Sequence, residues 1–319
     1  MENDNDLDID LIKQTCGFGS DVDIGVFIKN LVNLSDNYTD DELIKIYNYL
    51  LSTVVEPENL LRLIRFSDKY RDKSSLEPLV NLLVGRRNIK TENTDEDDVA
   101  NVRIMCAKAI ANIKDTSVVG SLLYCLNNKN ENYKVRLACA DALGKIGDKY
   151  AVTPLIDLMQ DEDEKSVYLK ESAVSALGAL GDERAVEPLV SILESKQGFL
   201  DKFSFLKERV IEALRKLEIG NNRRIIKALK NSLYDVSPMV RINAIEAIMN
   251  SDEDDAYEII KPSLRDDDEE VRKNALVALY NLSDRTILDE VIGNDEYPEK
   301  LREYAKELID EYETDEEDE

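Results

Sequence analysis

Apolar residues recur along the chain at the spacing of a helix that is buried on one side. In the segment VRLACADALGKIG, which begins at Val135, small or apolar residues occupy offsets 0, 3, 4, 7, 8 and 11. This spacing places them all on one face of an α-helix. A second apolar run, AVTPLIDLM, follows a Gly-Asp pair. The pattern therefore predicts a pair of helices joined by a short turn.

The same helix-pair pattern recurs along most of the chain. Asp141–Met159 reads DALGKIGDKYAVTPLIDLM and Ser175–Leu193 reads SALGALGDERAVEPLVSIL, with nine of nineteen aligned positions identical. First-helix segments start every 30 to 37 residues, at Val102, Val135, Leu169, Leu206, Val240, Val271 and Leu301. A period of this length is typical of solenoids. The sequence thus predicts an all-α fold, a right-handed α-solenoid of stacked antiparallel helix pairs.

Glycines mark two positions in the repeat. Gly147 and Gly181 stand just after the last apolar residue of a first helix, where a left-handed C′ residue favours glycine. The aspartate that follows each of them can cap the next helix. Gly144 and Gly178 lie inside the first helix, where glycine costs about 1 kcal/mol relative to alanine. We expect a neighbouring helix to approach closely at these two positions.

These features resemble a known repeat family. The period, the small residues of the first helix, the Gly-Asp turn and the A-V-x-P-L second helix are similar to HEAT-like repeats of the phycobilisome-lyase type, over roughly residues 97–310. The resemblance implies a ladder of acidic and basic side chains between repeats. The acidic positions, with Asn130 as the departure, hold Asp97, Asn130, Glu164, Asp201, Asp235, Asp266 and Glu296. The basic positions hold Arg103, Arg136, Lys170, Lys207, Arg241, Arg272 and Arg302. These cations could also form a phosphate-binding stripe, but the ladder is the simpler interpretation.

The sequence predicts that the chain has three parts, the repeat array and one region on either side of it. Residues 1–55 are expected to form a helical N-terminal cap, in which Thr39 to Glu42 read as a capping box. Residues 56–310 are expected to form about seven to eight HEAT-like units, with long loops near 85–101 and 194–203. Residues 311–319, which are strongly acidic, are expected to be a disordered tail.

Charge and composition narrow the function. The chain has 41 basic and 67 acidic residues, which gives a net charge of −26. Such a charge disfavours nucleic acids and anionic membranes as partners and favours a basic protein. The chain contains no run of about 18 apolar residues, so the sequence predicts no membrane span. The four cysteines are widely spaced, which is typical of reduced thiols and a cytoplasmic location, and Cys16, beside Gly17, is the only candidate for an exposed thiol.

The candidate chemistry is sparse. Histidine is absent, which removes the commonest general base and metal ligand. None of the acidic runs has both the glycine and the glutamate of an EF-hand loop, and no phosphate loop or nucleophile motif stands out. The sequence therefore predicts a protein without catalytic residues, metal ligands or a cofactor.

The second helices supply the candidate binding surface. In solenoids the concave face is the usual binding surface, and here the second helices are expected to line it. Its solvent-facing positions mix polar residue types, without stacked aromatic residues or a basic stripe. They include Thr153, Asp157, Glu187, Ser191, Lys227, Asn231 and Glu258. This pattern favours a non-catalytic protein–protein interaction scaffold that binds a partner with a basic surface.

Two alternatives remain open. The family that the repeats resemble includes bilin lyases, so the resemblance also implies a chromophore-handling enzyme. A carrier of basic cargo, similar to a transport receptor, fits the charge equally well. Deoxyhypusine hydroxylases, another HEAT-like group, rely on His-Glu metal motifs that this chain lacks. HEAT-like DNA glycosylases use a basic, aromatic-lined groove, which is hard to reconcile with a chain that has no tryptophan and a net charge of −26.

Overall fold

The computed structural model describes residues 9–16, 19, 21–31, 38–89, 95–195, 204–217 and 222–317, with side chains except at 9, 11, 15 and 311–317. Every regular element within these ranges is a helix, and the helices form the all-α solenoid that the sequence predicts. The chain divides into two compact units, residues 1–158 and 159–319. None of the helices in the described part of the chain is both long and apolar enough to cross a membrane.

The first unit begins with three helices that precede the repeats. Helix α4 is the first helix of a pair, and α4, α6 and α8 are the successive first helices. Helices α4 and α6 pack together, as do α6 and α8. The helices are α1 Ile9–Thr15, α2 Ile24–Asn30, α3 Asp40–Thr53, α4 Pro57–Tyr70, α5 Leu76–Leu83, α6 Glu96–Ile113, α7 Val119–Asn127, α8 Tyr133–Ile146 and α9 Val152–Gln160, which ends in the second unit.

The second unit contains two layers of helices. First helices α10, α12, α14 and α16 pack side by side in chain order, and second helices α11 and α13 pack together beside them. The helices are α10 Val167–Leu180, α11 Val186–Glu194, α12 Ser204–Lys216, α13 Arg223–Ser232, α14 Pro238–Met249, α15 Ala256–Ile260, α16 Glu269–Leu282, α17 Thr286–Gly293 and α18 Glu299–Glu317. A 3₁₀ turn, Lys261–Arg265, continues α15.

The turns inside the helix pairs have the predicted left-handed residue. Gly147 and Gly181 adopt φ of 83° and 63°. Asp148 then accepts a hydrogen bond from the Tyr150 N–H at 2.9 Å, which starts the next helical turn. Arg71 and Lys114 hold the equivalent position of two earlier turns with positive φ, a conformation that costs a side-chain-bearing residue about 1 kcal/mol more than glycine.

Gly178 is required where two first helices meet. A Cβ placed on Gly178 of α10 would lie 2.8 Å from Cα and 2.9 Å from Cβ of Ala213 in α12. Atoms of this kind do not approach so closely, so any larger residue would push the helices apart. The glycine that the sequence predicts at a close helix contact is therefore explained by backbone approach at this position.

Three expectations from the sequence are corrected. Helix α6 begins at Glu96, so residues 96–101 are helical and not part of a loop. Asp95 caps this helix by accepting from the Asp98 N–H, and the acidic residues of the first turn favour a helix N-terminus. The backbone of α18 continues to Glu317, so residues 311–317 are helical, as the good helix propensity of glutamate allows. Cys16, the one cysteine for which the sequence suggests exposure, is buried.

The capping box that the sequence predicts at the start of α3 is present, because Thr39 accepts from the Glu42 N–H and Glu42 accepts from the Thr39 N–H.

The remaining domain boundaries stay predictions. Of the predicted loop 194–203, Glu194 ends α11, and residues 196–203 lie outside the described residues. The last two residues of the predicted tail also lie outside them.

Candidate partner-binding surfaces

The clearest rung of the ladder joins α14 to the turn before α16. Arg241 donates from Nε and Nη2 to the two carboxylate oxygens of Asp266, at 2.9 and 2.6 Å. Its Nη1 also donates to the main-chain carbonyl of Asp235 at 2.9 Å. Bonding to Asp266 raises the pKa of the Arg241 guanidinium. Burial raises the pKa of Asp266, but its bonds to Arg241 and to the Asp268 N–H outweigh burial and leave that pKa below its usual value.

Two further cations reach an acid of the following repeat. Arg103 donates to both carboxylate oxygens of Glu131, at 2.7 and 2.6 Å, and Lys207 binds Asp235 at 2.7 Å. In these three rungs the acid lies 25 to 28 residues after the cation. The sequence reasoning therefore missed Glu131, which takes the role assigned to the neighbouring Asn130. The sequence signal for Glu131 was its place directly after Asn130, the one ladder position without an acid.

Three other predicted ladder cations donate hydrogen bonds to main-chain carbonyls. Arg136 donates to the Leu126 carbonyl at 2.8 Å, and Lys170 donates to the Asp161 carbonyl at 2.6 Å. Arg272 donates to the Asp266 carbonyl at 2.6 Å. A cation at these positions therefore also binds the main chain that precedes its own helix.

At the C-terminal end of the ladder, the predicted acid and cation have different partners. Arg302 pairs with Asp295, while Glu296 pairs with Arg265. Glu164 accepts from the Ser166 N–H at 3.0 Å. Asp97 lies in the first turn of α6, and Asp201 lies outside the described residues. The six-residue spacing within a repeat is thus a poor guide to which acid a cation meets.

All seven predicted residues of the binding face are exposed. Thr153 and Asp157 lie on α9. In the second unit we call the exposed sides of α11, α13, α15 and α17 the second-helix face. It includes the other five predicted residues, Glu187, Ser191, Lys227, Asn231 and Glu258.

Ion pairs cross the second-helix face from one helix to the next. Arg224 of α13 binds both oxygens of Glu194 at 2.5 and 2.6 Å and reaches Glu187 at 3.3 Å. The bond to Glu194 raises the pKa of Arg224, and the bond to Arg224 lowers that of Glu194. Lys261 of the turn after α15 binds Glu290 of α17 at 2.9 Å. Predicted residue Glu187 is therefore engaged within the chain itself.

The comparisons with known proteins agree with this architecture. The family model described as HEAT repeats matches residues 91–167, 129–205, 201–281 and 226–306, which together cover more than half of the chain. The chain is a HEAT-repeat protein. No curated protein matches its sequence.

Several solved structures are similar to this HEAT-repeat protein. The complex of CpcE and CpcF of phycocyanin lyase from Nostoc sp. is 21% identical, covering 74% of this chain and 87% of that chain, with a TM-score of 0.43. Human deoxyhypusine hydroxylase in complex with glycerol is 18% identical, covering 88% and 99%, with a TM-score of 0.36. A HEAT-like repeats protein from the archaeon Thermococcus onnurineus is 18% identical, covering 74% and 95%, with a TM-score of 0.43.

The second-helix face of this HEAT-repeat protein is banded in charge. Helix α13 carries four cations and no acid in the sequence RRIIKALKNS. The turn before α15 carries four consecutive acids, residues 252–255. Two of the four cations are paired with acids of neighbouring elements, Arg224 with Glu194 of α11 and Lys230 with Glu253 at 3.2 Å. The mixed polar face that the sequence predicts is therefore divided into bands of opposite charge.

The cysteines of this HEAT-repeat protein are free thiols. All four are buried. Burial raises the pKa of the Cys16 and Cys106 thiols. In the described part of the chain, no three cysteine, aspartate or glutamate side chains lie together so that they could hold a metal ion.

Proposed function

We propose that this HEAT-repeat protein is a non-catalytic scaffold that binds another protein on its second-helix face, through a basic surface of that partner. The observation that carries the proposal is that cations on this face are paired within the chain, whereas two of its acids are not. Arg224, Lys230 and Lys261 are held by carboxylates of neighbouring elements. Glu258 and Asp289 are exposed and form no ion pair with a described residue.

The charge of the whole chain favours the same partner. With a net charge of −26, the surplus carboxylates set the field outside the protein, and such a field accelerates association with basic proteins. The exposed cations Arg223 and Lys227 of α13 interrupt the acidic surface. A partner surface that fits this face is therefore basic opposite α15 and α17 and polar or acidic opposite α13.

The other parts of the proposal rest on composition. The chain has no histidine and no recognisable catalytic motif, which favours a scaffold over an enzyme. Its four cysteines are free thiols, which favours a reducing compartment, the cytoplasm. The exposed ion pairs of the second-helix face can also be exchanged for pairs with a partner at little cost, since such pairs contribute little to stability.

The test compares charge-neutralised variants in an affinity capture. The immobilised full chain, its E258Q/D289N variant and an E303Q/E307Q variant are each incubated with lysate of the native organism at low and high salt. The third variant loses the same charge from exposed positions of α18. Retained proteins are quantified by mass spectrometry. We expect a basic protein that the wild type retains at low salt and releases at high salt.

The variants decide which surface is used. Loss of that protein from E258Q/D289N but not from E303Q/E307Q supports the second-helix face. Equal retention by all three proteins contradicts the proposed face, and absence of any retained protein contradicts the scaffold. A coloured small molecule that co-purifies with the chain would favour the bilin-handling alternative instead.

A further inference from the structure

Three large apolar side chains are exposed at one repeated position of the first helices. Tyr168, Phe205 and Met239 are 69%, 66% and 51% exposed. Each directly precedes the buried residue that starts the repeat motif, Leu169, Leu206 or Val240. Because α10, α12 and α14 pack side by side, these residues lie on three neighbouring helices.

The repeat fold does not require apolar residues at this position. The same position in the other repeats holds Asn101, Lys134, Glu270 and Lys300, all of them polar. The apolar side chains are thus confined to three consecutive repeats, where they form a patch instead of a general feature of the array. Contiguous exposed apolar surface of this kind marks interaction sites in folded proteins.

The patch lines a groove of about 650 Å³. Glu171 of α10 and Glu208 of α12 also line it, and neither forms an ion pair with a described residue. The cations of the groove form ion pairs within the chain, Arg209 with Glu212 at 2.8 Å and Arg215 with Glu246 at 3.5 Å. The charges left for a ligand are therefore both negative.

The electrostatics of Glu171 favour the arrival of a cation. Burial raises the pKa of its carboxyl, Arg209 opposes this rise, and the nearby Glu208 adds to it. A partially desolvated carboxylate beside another carboxylate is stabilised when an opposite charge comes within about 4–6 Å. Apolar anchors surrounded by such charges are typical of protein interaction sites.

We propose that this groove binds a short segment of a partner protein that carries large apolar side chains next to lysine or arginine. The apolar side chains pack on Tyr168, Phe205 and Met239, and the cation lies between Glu171 and Glu208. The groove is formed by first helices, so this site is separate from the second-helix face and does not depend on the function proposed for that face.

The test measures binding of a model segment to the full chain. The probe is a fluorescein-labelled amphipathic peptide of leucine and lysine, and a peptide with glutamate in place of lysine is its control. Fluorescence anisotropy gives the Kd for the wild type and for Y168S/F205S, E171Q/E208Q and Y124S/Y150S. The last variant removes two exposed aromatic residues of the first unit.

The expected order of effects is specific to the groove. Y168S/F205S should weaken binding about tenfold or more, because buried aromatic anchors dominate such contacts. E171Q/E208Q should weaken it about threefold or more through lost attraction, and Y124S/Y150S should stay within about twofold of the wild type. All substituted side chains are at least partly exposed, so the circular dichroism spectra should be unchanged.

Several results would overturn the proposal. These are a Kd of Y168S/F205S within about twofold of the wild type, equal binding of the glutamate peptide, or no binding by the wild type up to about 1 mM peptide. A benzophenone on the lysine peptide should cross-link to α10, α12 or α14, and cross-links confined to other elements contradict the site. If Y168S/F205S instead converts a dimer to a monomer in sedimentation, a second copy of the chain is the occupant.

Discussion

The two helix layers of the second unit are held together in different ways. In the first-helix layer, Gly178 lets α10 and α12 touch, and the Arg241 and Asp266 side chains are only 9% and 11% exposed. In the second-helix layer, Arg224 and Glu194 are 36% and 30% exposed. Removing one member of a desolvated pair costs far more than removing one of an exposed pair. We infer that the first-helix layer sets stability and register, and that the second-helix layer leaves its charges available to a partner.

The largest expected effect is the loss of the buried rung. R241M should lower the free energy of unfolding by about 3 kcal/mol, because Asp266 is left desolvated without its cation. The measurement is urea denaturation followed by circular dichroism, with hydrogen exchange of α14 to locate the loss. Since a repeat array need not unfold in one step, the exchange data identify which helices open.

Two matched variants separate charge from packing. R241K should lose less than R241M, since Lys207 already forms a comparable rung with Asp235. R241M/D266N should recover part of the loss by removing the unpaired charge. The difference between the two layers is contradicted if R241M costs less than about 1 kcal/mol, the range of exposed ion pairs.

The second largest effect is expected where α10 meets α12. G178A should lower the free energy of unfolding by about 1–2 kcal/mol, because the added Cβ overlaps the Ala213 backbone and this strain exceeds the gain in helix propensity. Urea denaturation provides the comparison. The control is G120A, whose Cβ in α7 meets nothing within 4 Å and which should be neutral or stabilising. Equal stability of G178A and G120A would show that the helices can separate freely.

A smaller difference is expected in the pH dependence of the two layers. The pKa of Asp266 is lower in the folded protein than its ordinary value near 3.9, so its contribution to stability is present above that value and is lost as the pH falls through the folded pKa. D266N should therefore remove part of the acid-dependent loss of stability. E194Q should remove less, because Glu194 is more exposed. Urea midpoints from neutral pH to about pH 2 test this order, which equal slopes of the two variants would contradict.

The repeat period was enough to predict the fold and several of its details. Helix pairs follow from apolar spacing, because burial on one side of each helix leaves a strong 3.6-residue pattern. The left-handed residues Gly147 and Gly181 and the helix contact at Gly178 follow from backbone requirements that few residues except glycine satisfy. These features are local or are repeated at a fixed interval.

Contacts between long side chains were less accessible to the same reasoning. Glu131 takes the place of Asn130 in the ladder because Arg103 reaches the carboxylate one position further along the turn. The start of α6 was missed because an acidic segment can be a loop or a capped first turn, and only the Asp95 hydrogen bond decides between them. The apolar groove was not predicted, because Tyr168, Phe205 and Met239 share a repeat position in the sequence but become one surface only through the packing of α10, α12 and α14.

The smallest effect is expected on the second-helix face. R224A should leave the free energy of unfolding within experimental error, because Glu187 and Glu194 regain hydration when the exposed arginine is removed. K261A removes the equivalent cation beside α17 and serves as the matched variant. Urea denaturation at low and high salt should show both variants close to the wild type. A loss as large as that of R241M would mean that these ion pairs are structural, and the second-helix face would then have few charges free to exchange with a partner.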